Sequence, residues 1–488
     1  MNGKVFFLIL VLFADFLNAE KLFFTNSIDL PDSVIKSTVE NKQVISKDKV
    51  SHAEVLYGKY ENIDLQLLIS REYENAGYLI NYARFKIESF PTNDRKVFNS
   101  GYGSDNLNAN LYFLLGQNFL LNLGLKYNTS LNGTMSNPFY NNESARVLVF
   151  NPSFKYFISD KSFISAVFSY NDSYVNFESA DNEYYVGNTM FEANVEYSRV
   201  WSRINAFSLN LDTIQYSTEL QNNRDVNSIA IVKAQDKFAV SKSLIFTFGL
   251  NANVNKKYSF VFEPIIDMLY LFNKTLNLNI FYNSLYIPEY YNNVILTDRF
   301  VQVLDFFKPY IKRNLGLGIG TAVNKDAYLT VESVFVKYKN YPSFIYGNNR
   351  LYYINPGDFD VINLQTVLRY EIDCCLNFIL KYDYIPYVSD NSVYLIKNKL
   401  SLDFNFTFNM VELNFKIKYF DLMRYTTESG NSLFLDANIV ADVDCAYKIN
   451  NSFGFKLKVA NIGKNTVCKL PFYPEYNDLI KLGIYTGF

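Results

Sequence analysis

One histidine, one tryptophan, 12 prolines and four cysteines are all that 488 residues hold of those types. A lone imidazole, His52, excludes a His-based catalytic triad and any site with two histidine ligands. Four scattered cysteines leave little for thiol or metal chemistry. Neither charge dominates, with 46 Lys and Arg against 48 Asp and Glu and a formal net charge of −2. Without a positive field to attract phosphate, a nucleic-acid partner is disfavoured. Glycine is also scarce, at 20 residues, and the run Gly316–Gly320 (GLGIG) lacks phosphate-loop spacing. After Ala19 no apolar run approaches the roughly 18 residues that a membrane helix needs. No catalytic residue, metal or cofactor is expected.

Aromatic residues are what the chain has in excess. It holds 44 Phe and 40 Tyr, 17% aromatics in all, within a composition that is 49% apolar. That is ample apolar surface to offset chain entropy, so the chain is not disordered. Met1 to Ala19 reads as a secretory signal peptide. Lys4 gives the positive end, and Val5–Ala14 is an apolar stretch too short to span a bilayer of roughly 30 Å. Cleavage after Ala19 would start the mature chain at Glu20, although Asp15 and Leu17 make the site imperfect. Three segments are expected: signal peptide 1–19, a periplasmic or lumenal segment 20–52, and a β-barrel over 53–488.

The dominant pattern is strict alternation. Phe246, Phe248, Leu250 and Ala252 alternate with Thr247, Gly249, Asn251 and Asn253. Leu400, Leu402, Phe404, Phe406 and Phe408 do the same with Ser401, Asp403, Asn405, Thr407 and Asn409. A period of two places apolar side chains on one face of a strand and polar ones on the other. The class is therefore all-β, with about 22 candidate strands (range 18–22), most near the length that a tilted strand needs to cross hydrocarbon. The first spans expected are 53–60, 63–72 and 77–89, and the last are 433–447, 452–461 and 479–488. Connections after even-numbered strands are short, such as Ser159–Lys161, Trp201–Arg203 and Lys448–Asn451. Those after odd-numbered strands are mostly long, such as Ser130–Ala145, Ser173–Gly187, Leu285–Pro309 and Lys339–Asp358. Short periplasmic turns alternating with long extracellular loops mark a transmembrane antiparallel barrel.

Ile480, Leu482, Ile484 and Phe488 share one face of the last strand. A terminal strand ending in Phe resembles the assembly signal of bacterial outer-membrane proteins. It must pair with the first strand, because lipid offers nothing to an open edge. The apolar faces should meet lipid and the polar faces a wet lumen. Tyr127, Tyr156, Tyr170, Tyr197, Tyr282, Tyr338 and Trp201 suit interfacial belts.

The segment FFKPYIKRNLGLGIGTAVNKDAYLTVESVFVKYKNY (residues 306–341) is similar to the barrel of TonB-dependent receptors. So is the ending VANIGKNTVCKLPFYPEYNDLIKLGIYTGF, through Asn461, Tyr473, Pro474 and Phe488. The likeness runs over most of Val55–Phe488 and implies an outer-membrane receptor barrel. The chain departs from the pattern in two places. The usual Gly-Arg before the final strand is absent, with Asn477 and Asp478 there instead. The residues Glu20–His52 are too few for the globular plug of that family, and no TonB box is evident. The implied partners are outer-membrane lipid, the barrel-assembly machinery, and a separate plug or energy-coupling protein.

The loop Ser284–Asn293 (SLYIPEYYNN) is the candidate ligand loop. Tyr286, Tyr290 and Tyr291 could stack on a sugar or aromatic ligand, with Glu289 as polar anchor; packing on the barrel rim is the competing role. Cys445 could bridge to Cys374 or Cys375, free thiols being the other reading, and Cys468 falls in an outer loop. Solute uptake or passage in the bacterial outer membrane is the expected function. The rival is a structural or adhesive barrel with a blocked lumen; a barrel enzyme is disfavoured because His52 precedes the barrel.

Overall fold

The computed structural model describes residues 51–487, apart from connecting segments at 59–61, 88–100, 134–141, 179–182, 203, 221–222, 256–258, 274, 288–300, 304–309, 348–349, 373–374, 390–395, 428–430, 451, 463–467, 471–472 and 475–478. Every element among the described residues is extended. The wall strands are β1 (Ser51–Gly58), β2 (Asn62–Glu72), β3 (Ala76–Ile87), β4 (Tyr102–Leu115), β5 (Phe119–Gly133), β6 (Asn142–Ser159) and β7 (Ser162–Glu178). Next come β8 (Glu183–Ser202), β9 (Asn205–Leu220), β10 (Asn223–Ser241), β11 (Leu244–Asn255), β12 (Ser259–Leu271), β13 (Leu276–Ile287) and β14 (Tyr310–Ala322). The wall ends with β15 (Ala327–Gly347), β16 (Arg350–Ile372), β17 (Leu376–Val388), β18 (Asn398–Phe408), β19 (Val411–Phe420), β20 (Asn438–Asn450), β21 (Phe453–Ala460) and β22 (Leu479–Gly487).

Each strand pairs antiparallel with its sequence neighbours, and β22 returns to β1 in the register Leu56↔Gly483 and Gly58↔Lys481. The result is a closed barrel of 22 strands, as the alternation predicts. The expected strand order is found throughout, with β1 starting at Ser51 inside the segment expected to precede the barrel.

Polar side chains close the turns at one end. The backbone N–H of Lys161 donates to Ser159 Oγ at 3.2 Å, that of Ile204 to Ser202 Oγ at 3.2 Å, and that of Ser243 to Ser241 Oγ at 3.1 Å. Asn324 and Asn450 accept in the same i+2 geometry from Asp326 and Ser452, both at 2.8 Å. These side chains mimic a backbone turn, and that lets two-residue and three-residue connections suffice. Gly116 and Asn409 supply the positive φ that two further turns on this side require.

At the other end the structure corrects the expected loops. Residues expected as loop at 173–187 and 339–358 are largely strand, as are both ends of 130–145, because β5 to β8 run on as one continuous four-stranded ladder and β15 and β16 as a hairpin. β16 has 23 residues, where about ten cross a bilayer. The surplus is rich in Tyr, Ile and Phe, which favour pleated pairing over open loop.

The faces divide as the alternation requires. Leu315, Leu317 and Ile319 on β14 point outward and are exposed, while Gly316, Gly318 and Gly320 face inward. Replacing Leu317 by arginine, near the middle of β14, is expected to cost about 2–4 kcal/mol in lipid. Asn279→Lys, on the inner face opposite Gly318, is expected to be tolerated. Unfolding of both variants from vesicles would check this assignment of faces.

The lumen is less uniformly polar than expected. Val200, Ala206, Ala239 and Ile245 form a buried apolar cluster on the inner wall near the periplasmic end. Tyr338, assigned to a belt from sequence, lies on the inner face instead, stacked on Phe359 at 4.8 Å beside Val336 and Val361. Trp201 does face outward at the periplasmic rim, with the Arg199 guanidinium 4.4 Å above its ring.

Candidate functional site

Inside the barrel, two features dominate. The first is an ion-pair ladder over the closure of the wall. Lys456 lies 2.8 Å and Lys458 3.1 Å from the carboxylate of Glu54. Lys481 lies 3.4 Å and Lys458 3.9 Å from Asp64, and Lys456 is 3.6 Å from Asp444. The lysines of β21 and β22 thus lie between Asp444 of β20 on one side and Glu54 of β1 and Asp64 of β2 on the other. Each charge that the lumen holds here has an opposite neighbour.

The second feature lies at the extracellular mouth. The β12–β13 ladder stops at Ile266↔Tyr282, although β12 continues to Ser259 and β13 to Ile287. Above that rung the wall is split, and the β13 edge laps inside the β12 edge. Side-chain direction carries this reading. Tyr282, Ser284, Ile311 and Arg313 share the outward face of β13 and β14 with Ile280 and Leu315, yet they meet residues of the inner face of β9 to β12. Arg313 Nε donates to Glu263 Oε1 at 2.8 Å, and Tyr282 Oη donates to Glu263 Oε2 at 3.0 Å. Asn251 Nδ2 donates to the carbonyl of Ser284 at 3.2 Å, reaching across β12. Ile311 packs in one buried cluster with Ile214, Tyr216 and Ile229, at a distance of several strands along the wall.

The lap has a local cause. Pro264, which has no N–H to donate, sits in the unpaired stretch of β12, where a proline belongs only at a free edge or an interruption. The Glu263 carboxylate is buried and would be costly there without Arg313 and Tyr282. Farther out, Val301–Val303 pairs parallel with Leu351–Tyr353 of β16, and Ile345 and Tyr346 of β15 pair with Thr426 and Thr427. The hairpin Met423–Thr427 and Ser432–Leu435 completes a small sheet beyond the wall.

Of the residues singled out from sequence, Tyr286 lies on the lapped part of β13, its backbone opposite Ile311. Glu289, Tyr290 and Tyr291 lie outside the described residues, as do Ala19, Glu20 and Phe488. Ile480, Leu482 and Ile484 face outward on β22 and are exposed, Leu482 to 64%. Tyr282 does not serve as a belt residue, because the lap turns it onto Glu263. Cys445 is a free thiol, so the bridge to Cys374 or Cys375 is not formed. Glu263 and Arg313 were not evident from sequence as partners. The available signal was Arg313 itself, a charge on the face shared by Ile311, Leu315, Leu317 and Ile319.

No protein-family model matches the sequence, and no curated protein matches it. Solved structures do. The FrpB iron transporter from Neisseria meningitidis superposes with a TM-score of 0.75 at 10% identity, covering 94% of this chain and 83% of that one. The siderophore receptor PirA from Acinetobacter baumannii gives 0.74 at 10% identity, over 91% and 81%. The ferric enterobactin receptor PfeA from Pseudomonas aeruginosa gives 0.73 at 11%, over 91% and 82%. The chain thus has the architecture of an outer-membrane β-barrel. More narrowly, its wall has the 22-strand fold of the TonB-dependent siderophore receptors. Among the described residues, every element belongs to the wall, to the extracellular sheet or to the short pairing of Cys468–Leu470 with Tyr473–Pro474, and none forms a domain within the lumen.

Proposed function

We propose that this barrel serves solute uptake or passage across the bacterial outer membrane, by selective contact in its mouth and lumen and with no covalent chemistry. The single observation that supports the reading most is the inner wall. It is lined by Asn, Gln, Lys, Asp and Glu side chains, several of them paired across strands, as in Asn194–Asn210, Gln365–Asp383 and the Glu54 ladder. Such a wall is suited to water and polar solutes. Occlusion by a separate plug chain, or coupling to an energy-transducing partner, belongs to the same proposal. The similar structures named as iron and siderophore receptors suggest a chelated or similarly bulky polar cargo.

The lap and the extracellular sheet favour a second reading, a structural or adhesive barrel with a blocked mouth. Swelling of liposomes that carry the purified full chain separates the two. Influx of a pentose supports passage, whereas vesicles that contain folded barrel and stay tight to it support the blocked barrel.

A further inference from the structure

A barrel normally removes its sheet edges by closure, because unpaired N–H and C=O groups are costly and invite wrong partners. Here two bare edges face each other across the split. Both flanking ladders are intact. The β11–β12 ladder runs on to Asn255↔Ser259, and the β13–β14 ladder to Ile287↔Tyr310. The split is therefore confined to one interface.

The two edges are also in register for pairing. Extending the ladder past Ile266↔Tyr282 would place Ile265 opposite Asn283, Glu263 opposite Leu285, Phe262 opposite Tyr286 and Val261 opposite Ile287. The alternation already agrees, since Phe262 is an outward, exposed residue and Ser284, two residues before the position opposite it, has the phase of Ile280. Nothing in the backbone prevents this second arrangement. Side chains select the lapped one: Arg313 and Tyr282 on Glu263, Asn251 on the Ser284 carbonyl, and Ile311 in its apolar cluster. Pro264 tilts the balance the same way, because the rung at its position would lack a donor.

We infer that the β12/β13 split is a two-state gate. In the lapped state the upper ends of β13 and β14 lie inside the wall and narrow the mouth. In the zipped state the upper rungs form, these strand ends return to the wall, and the mouth widens by the width of the lap. Arg313, released from Glu263, then faces outward at the rim, where its long side chain reaches the headgroups. The inference extends the reading of the barrel as a route for solutes, but its test does not depend on flux.

Two cysteine pairs, introduced after the native cysteines are changed to serine, report the two states in vesicles. Asn251→Cys with Ser284→Cys crosslinks the lapped state while giving up the Asn251 hydrogen bond, which biases the reporter against that state, and Phe262→Cys with Tyr286→Cys crosslinks the zipped one. The lapped pair is expected to dominate in the otherwise native chain. Adding Arg313→Gln should raise zipped crosslinking at least about tenfold, equivalent to roughly 1.4 kcal/mol. Pro264→Val restores a donor to the rung and touches no latch residue, so it should shift the balance the same way. It also keeps the test decisive if Arg313→Gln does not fold. The gate is refuted if folded protein carrying either change gives full lapped crosslinking and none of the zipped product. Crosslinking that responds as expected without any pentose influx would retain the gate and remove the transport reading.

Discussion

Replacing Gly483 by valine is expected to stop the barrel from closing. At this position a Cβ would stand 1.9 Å from the carbonyl oxygen of Val55 and 2.6 Å from Leu56 Cδ2. Gly58, two residues along the same interface, is equally tight, with the Ile480 carbonyl 2.2 Å from where its Cβ would be. Leu56 has no exposed surface and no room to turn aside. Overpacking an ordinary core costs about 1–3 kcal/mol, because side chains shift to make space. The obstacle here is backbone of the facing strand, which can yield only by breaking the ladder. That ladder is short, since β1 has 8 residues and β22 has 9, so few rungs remain to compensate. Gly483→Val should therefore accumulate as protein lacking the compact, heat-modifiable electrophoretic form. Gly318→Ala is the control. Its Cβ would meet nothing closer than 3.8 Å, and the variant should fold as the native chain does. Normal folding of Gly483→Val would mean that β22 and β1 are not held this closely.

The closure and the strand order were legible in the sequence because both rest on local signals. A run such as Leu400–Asn409 repeats every two residues, and tight connections such as Ser159–Lys161 carry their turn chemistry within themselves. The strand extensions were less legible. Segments such as Tyr341–Tyr353 mix Pro, Gly and Asn with aromatics, and whether they pair depends on the neighbouring strand. Face assignment failed where tertiary contacts overrode the alternation: Tyr338 turned to the lumen to stack on Phe359, and Tyr282 was carried inward by the lap. The lap itself depends on Glu263 and Arg313, which are 50 residues apart. Periodicity cannot report a contact of that kind. It could flag only that Arg313 stands on a greasy face and that Pro264 interrupts a strand.

The ion-pair ladder gives the other large effect, and it acts on the same closure through charge. Glu54 is 2% exposed and is the shared partner of Lys456 and Lys458. Glu54→Gln removes the carboxylate and keeps its shape, which leaves two lysines side by side on β21 with one acid fewer between them. Lys458 would retain only Asp64 at 3.9 Å, an acid already shared with Lys481, and Lys456 only Asp444 at 3.6 Å. Breaking a buried pair on one side typically costs about 3–5 kcal/mol, because the remaining charge is desolvated and uncompensated. The Lys448–Glu412 pair, also on the β19 to β22 side, is nearly half exposed at both ends. Glu412→Gln is therefore expected to cost less than about 1 kcal/mol. Urea unfolding of the two variants in the same vesicles measures the contrast. Equal, small losses for Glu54→Gln and Glu412→Gln would mean that water reaches Glu54 freely, and the barrel would then be held shut by its backbone ladder alone.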